Sequence, residues 1–415
     1  GNNTQGIAAV AIGNGAASTS QSTNSIAIGI NAANNTQGSS SVAIGFSAGR
    51  HTQGANAVAI GSNAATGASG GVNFQGASAV AIGHHAGNNT QGVNAVAIGN
   101  DAGRGNTAGD PQGQGAYSIA IGDLAGKFKQ ATNAIAIGNS AGSGSAVAGN
   151  FQGIGAIAIG LNAGNNTQGE SGVAIGNSAG QNTQGSESVA IGEQAGQNNQ
   201  GSGSIAIGDA AGITTQGAES VAVGKGAGRT TQGTDAVAVG MNAGEITQGN
   251  NGVAVGNFAG NDTQGPSSVA IGLNAGATTQ GASSVAIGPS AGRTTQSANA
   301  VAIGPSAGRT TQGTSSVAIG FNAGNDNQGA GAVAIGVNAG SGTTTGQGAN
   351  AIAIGNNAAP ASQTAGSICL NASGTALNPN QAGLFIRPIR GVAAGKGVNV
   401  LYYDPATFEV LYSTT

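Results

Sequence analysis

Tryptophan is absent from the chain, methionine and cysteine occur once each, and aromatic residues make up 3% of its 415 positions. A conventional globular enzyme of this length carries far more aromatic and leucine side chains in its core. The single cysteine, Cys369, excludes an intrachain disulfide framework and any multi-cysteine zinc site. Charge is equally scarce, at 6% of residues and a formal net charge of −3. Eleven Lys and Arg form no basic stripe, which argues against nucleic-acid binding through phosphate neutralisation. No stretch approaches 18 consecutive apolar residues, so no transmembrane helix and no membrane insertion is expected. The chain opens inside a repeat at Asn3-Thr4-Gln5-Gly6, as a processed product or a fragment would.

What the sequence has instead is glycine, at 80 positions, together with many Val and Ile. Disordered chains avoid branched apolar residues and carry high charge, so glycine richness here needs another explanation. Periodicity supplies it. The tetrapeptide [Val/Ile]-Ala-[Val/Ile]-Gly recurs 21 times between Val10 and Gly355, mostly at a 16-residue interval, with a degenerate copy at Ile368-Cys369-Leu370-Asn371. Such regularity is the mark of a solenoid.

Residues 173–188 serve as the type coil, Val173 taking position 1 and Ser188 position 16. Alternation places positions 1 and 3 on one face of a short strand and the alanine between them on the other. Glycines at positions 4, 8 and 13 supply corners. So short a period and so much glycine are incompatible with helix. The expected fold is all-β: a parallel β-solenoid, or β-roll, of about 22 coils and about 105 Å. Residues 1–371 form the repeat domain and 372–415 a C-terminal β cap or connector, with a turn at Asp404-Pro405-Ala406-Thr407 between two strands.

Apart from the motif glycine at position 4, three columns hold one residue through every full coil: alanine at position 2, alanine at position 7 and glutamine at position 12. Gln184, Gln216 and Gln248 represent the glutamine column, expected to be a buried or interfacial amide ladder with a structural role. Ala174 and Ala190 represent the position-2 column, read as a close-packed surface on which identical solenoids associate, the branched residues forming a thin core. The expected partner is therefore the chain itself.

Four departures from the period can all be placed between positions 8 and 9, at residues 66–71, 104–110, 143–148 and 341–343. Loops on a rigid scaffold commonly carry recognition, which makes His84, His85, Tyr117, Lys127, Phe128 and Lys129 the candidate contacts for a host-surface glycan or protein receptor. The histidines have no carboxylate or thiol at ligand spacing along the chain, so no metal and no cofactor is expected. The acidic residues follow no column, which excludes a calcium-binding nonapeptide roll. No nucleophile elbow or phosphate loop stands in its required context, and no catalytic residue is assigned.

With its Ser/Ala-Val-Ala-Ile-Gly-x-x-Ala-Gly motif, the chain resembles the YadA-like head repeats of trimeric autotransporter adhesins. It more closely resembles the fibre-protein arrays of giant viruses and phages. In these a segment similar to Gly383-Leu384-Phe385-Ile386-Arg387-Pro388-Ile389-Arg390 and Val400-Leu401-Tyr402-Tyr403-Asp404-Pro405 often precedes an endosialidase-type chaperone. The resemblance implies a left-handed roll, a homotrimer and a non-enzymatic fibre or attachment protein on a virion surface or otherwise extracellular. A bacterial trimeric adhesin head is the alternative. So is an ice-binding β-solenoid, suggested by paired threonines such as Thr214-Thr215 and Thr230-Thr231. A carbohydrate-active enzyme on the same scaffold is a third reading.

Overall fold

The computed structural model describes residues 4–67, 74–105, 113–145, 151–342, 345–389, 401–404 and 409–412. Among them there is no helix. The chain forms a parallel β-solenoid of about 23 turns with a 16-residue period, as the pairing of Val173 with Val189 illustrates. One sheet is a continuous ladder of short strands at positions 1–3, from Val10–Ile12 to Ile352–Ile354, followed by Ser367–Asn371 and Gly383–Arg387. Stacking is in strict register, with Val173 on Val189, Ala174 on Ala190 and Ile175 on Ile191. The last rung, Gly383–Arg387, lies parallel to Ser367–Asn371, so the sheet continues beyond residue 371 into the segment read as a cap. Near the C-terminus Leu401–Asp404 pairs antiparallel with Glu409–Tyr412; turn residues 405–407 lie outside the described residues.

The second sheet is built from two-residue strands at positions 11–12, such as Thr183–Gln184 on Asn199–Gln200. It has two parts, ending at Thr52–Gln53 and resuming at Thr167–Gln168. Between them the glutamines alone continue it as isolated parallel bridges through Gln75, Gln91, Gln114, Gln130 and Gln152. This is the stretch that contains the first three insertions. All four insertions leave the coil just after position 8, and their segments 68–71, 106–110, 146–148 and residue 343 lie outside the described residues.

The solenoid is packed the other way round from the expectation. Ala174 and Ala190 are fully buried within a single chain, as are the position-7 alanines Ala179 and Ala195. The branched residues point outward: Ile175 and Ile191 keep 36% of their surface exposed, and Ile207 keeps 37%. The core is thus alanine, glutamine and the small residues of position 16, such as Ser188 and Ser204. Position 2 cannot be an association surface, because its methyl groups are already enclosed by the coil that carries them.

Gln184 crosses this narrow interior, its Nε2 donating to Val173 O at 2.7 Å and to Ser188 O at 3.3 Å. Gln216 repeats the pattern on Ile205 O at 2.7 Å and Ser220 O at 3.4 Å. Gln248 donates to Val237 O, to Gly252 O and, at 3.0 Å, to Gln264 Oε1 in the next coil. The ladder along the column is therefore intermittent, whereas the bond across the coil is constant. Where Oε1 accepts no hydrogen bond, as in Gln184 and Gln216, it lies over the position-8 glycine, occupying space a Cβ would need.

Two glycine columns show separate constraints. Gly176, at position 4, has φ of +131°, and a Cβ there would meet Gly192 O at 2.5 Å. Gly185, at position 13, does not have positive φ, so it is not the flexible corner expected. It is held to glycine by close approach, a Cβ falling 2.5 Å from Ser202 N. The left-handed turns fall at positions 6, 8 and 15, as in Ser178 (φ 55°), Gly180 (φ 53°) and Glu187 (φ 58°). Asn and Asp tolerate that region best among non-glycine residues, which fits the asparagines there, such as Asn242 and Asn251.

Two substitutions test this inverted core. Ala206→Leu should lower stability by about 1–3 kcal/mol through overpacking. Gln216→Glu should cost a similar amount near neutral pH, since it loses the donor to Ile205 O and buries a charge. Burial raises the pKa of the new carboxyl, so the deficit should shrink as pH falls and the group becomes neutral. Thermal unfolding at neutral and mildly acidic pH checks both.

Candidate functional site

Stacking at a 16-residue interval creates neighbours that linear spacing conceals. His84 and His85 occupy positions 5 and 6 of the coil that starts at Val80, just after Gly83. His85 has φ of +55°, and this left-handed turn brings successive imidazoles onto one side, with ring centroids 3.8 Å apart. Asp101 holds the same position one coil on and places Oδ1 3.3 Å from His85 Nδ1. The expectation that these histidines have no carboxylate at ligand spacing is therefore corrected: the partner is a whole coil away in sequence and one rung away in space.

The cluster extends outward through polar contacts. Arg104 Nη1 lies 3.2 Å from each Asp101 oxygen, and Lys127 Nζ lies 3.4 Å from Oδ2. Asn100 Nδ2 donates to Asp123 Oδ1 at 2.8 Å, while Asn100 Oδ1 lies 3.0 Å from His84 Nδ1. Asn63 Nδ2 approaches His85 Nε2 at 3.2 Å. Lys127 Nζ also stands 5.3 Å from the Phe128 ring centroid, and Lys129 Nζ 4.5 Å from that of Phe151, both within cation–π range. Beside Lys129 lies a shallow groove of about 350 Å³, bordered by Thr90, Ile154 and Gly113. Gly113 stands at position 11, where threonine is usual.

His84, His85 and Lys127 thus meet around Asp101, and Phe128 and Lys129 follow Lys127 along the same connection. Tyr117, exposed to 58%, is at position 15, in the other connection of the coil. The sequence reading missed Asp101, Arg104 and Asp123 as members of the cluster. Matching positions in successive coils would have found Asp101. It also missed a polar groove of about 570 Å³ beside the fourth insertion, bordered by Arg309, Asn322, Asp326, Asn338, Ser341 and Asn378. At position 11 exposed threonines form one in-register rank, Thr279, Thr295 and Thr311 among them; the adjacent position 10 is interrupted by Ile246, Asp262 and Asp326.

Two stretches, 264–291 and 296–323, match the YadA head domain repeat. Both begin at a position-12 glutamine, Gln264 and Gln296, two coils apart. No curated protein and no solved structure matches the chain. These two segments are thus similar to YadA head repeats, and they lie within the continuous parallel β-solenoid.

Burial lowers the pKa of His85 from its ordinary value; His84 and Arg104 add to this and Asp101 opposes it. Burial pushes the Asp101 carboxyl up, but the charges and hydrogen bonds of Arg104 and Lys127 outweigh it and leave the group below its ordinary value. Both folded-state values lie below the unfolded ones. Each group therefore contributes stability present above its unfolded pKa and lost as pH falls through its folded pKa. For His85 that loss begins below about pH 6.5. Asp101→Asn should lower the His85 pKa further and Arg104→Ala should raise it, as read by NMR titration of the ring protons.

Proposed function

We propose that the chain is a non-enzymatic structural and attachment rod that acts as a homotrimer displayed on a surface, where it engages a host glycan or protein receptor. The observation that carries this reading is the outward row of branched side chains. Each full coil contributes a pair of them, at positions 1 and 3, facing away from a core made of alanine and glutamine. Stacking aligns them into one stripe along the rod, continued by Ile368 (37% exposed), Leu384 (57%) and Ile386 (44%). A contiguous apolar surface of that length marks an interaction face. Cyclic association of three identical chains would bury it without leaving open ends. The YadA head matches support the same assembly.

Display on a virion is the narrower form of the proposal and rests on the resemblance of residues 383–390 and 400–405 to fibre proteins. A bacterial adhesin head is the second reading, favoured by the matches at 264–291 and 296–323. In either setting the repeated faces supply avidity, and the insertions with His84, His85, Tyr117, Lys127, Phe128 and Lys129 supply discrimination.

Light scattering should give a mass near three chains of 38.8 kDa. Ile175→Lys combined with Ile207→Lys should shift it toward one chain while the β-sheet circular dichroism persists, because these side chains lie outside the coil. A folded wild-type chain at the mass of one copy would overturn the trimer. Excising 66–71, 104–110 and 143–148 should leave the rod assembled and reduce its binding to cells that the intact rod coats. Undiminished binding would remove the insertions from recognition.

A further inference from the structure

We infer that His84, His85 and Asp101 form a binding site for a borderline divalent transition ion of the zinc class, bridging the coils that start at Val80 and Val96. One ligand atom from each residue lies within 4.8 Å of the others. The spacing of the closest pair fits best. Two ligands held about 2.0–2.1 Å from a tetrahedral zinc are separated by roughly 3.3 Å, and His85 Nδ1 and Asp101 Oδ1 are 3.3 Å apart. An ion can take the place of the hydrogen between them. The proton then resides on Nε2, and Asn63 turns its amide to accept it. Water completes the coordination on the exposed side.

Hydrogen bonds around His84 point the same way. A carboxylate accepts and does not donate, so Asp123 Oδ1 fixes the NH2 end of Asn100 toward itself. The amide oxygen must then face His84, whose Nδ1 carries the hydrogen and whose Nε2 keeps a free lone pair. A metal-bound imidazole is commonly oriented in this way, its second nitrogen donating to a carbonyl or carboxylate. His84 is exposed and can close the remaining distance by rotation about its side-chain bonds. Opposing the ion are Arg104 and Lys127, both seated on Asp101. Each is a long side chain able to swing outward, so these two cations compete with the metal for one carboxylate.

That competition makes the site testable. Isothermal titration of the full chain with zinc chloride near pH 7.5 should give one ion per chain. His84→Ala, His85→Ala and Asp101→Asn should each weaken binding by about tenfold or more. Arg104→Ala should tighten it, and His51→Ala should leave it unchanged. Zinc should also raise the unfolding temperature of the wild type, reversibly on chelation, and have less effect on Asp101→Asn. Absence of binding at 100 µM zinc would overturn the site. So would binding that Asp101→Asn does not weaken, since that would leave only a surface pair of imidazoles.

Discussion

One hydrogen bond per coil determines how this chain can be built: a glutamine amide crosses the interior to the carbonyl of the first strand residue, as Gln184 does to Val173 O. That donor can arrive only if the two sheets are held a single extended side chain apart. At that separation the facing residues have space for methyl groups and little more, which is why alanine fills positions 2 and 7. Position 8 belongs to the same constraint: it is glycine in most coils, where the amide oxygen lies close to the place of a Cβ, and nothing larger than alanine, as in Ala33 and Ala359, occupies it. Composition therefore follows from thickness. A chain with no space for Leu or Phe inside has no use for them there, and its branched residues are displaced to the exterior.

The exterior then acquires the chemistry that most proteins bury. In the proposed homotrimer, interaction along the apolar stripe would be a second level of folding, in which neighbouring chains supply the contacts that a single coil lacks. The repeated coil would make such association cooperative, since each full coil presents a pair of branched side chains at equivalent positions. The sparse charged residues add little to such an assembly. They are scattered along the coils, and Asp101 with Arg104, Lys127 and the two histidines is the densest cluster among the described residues.

Much of the architecture is legible in the sequence. The 16-residue interval gives the coil, and the invariant glutamine column marks a position that cannot drift. The orientation of the strand is not legible by the same means. Alternation separates Val173 and Ile175 from Ala174, yet it is symmetric between inside and outside. Hydrophobicity chooses wrongly because the width of the interior, which decides the matter, depends on Gln184 in another part of the coil. The cluster is hidden for a different reason. His85 and Asp101 are distant by every rule of linear spacing, and only superposing coil on coil makes them adjacent. Positions 6 and 15 do carry a signal, since their Asn and Asp residues match a left-handed backbone, but their polarity fits mere solvation equally well.

The split in the second sheet has a mechanical consequence. Backbone hydrogen bonds in a stacked coil run along the rod axis, so tension on the rod loads the rungs in series and the weakest rung limits the whole. From Gln53 to Gln168 one of the two ladders is reduced to a run of single bridges, whereas in most other coils, as from Thr167–Gln168 to Asn327–Gln328, both ladders share the force. A rod under load would therefore yield first in this segment, which also holds three of the four insertions. The remaining coils to either side would separate as intact blocks, making residues 53–168 the fuse of the assembly.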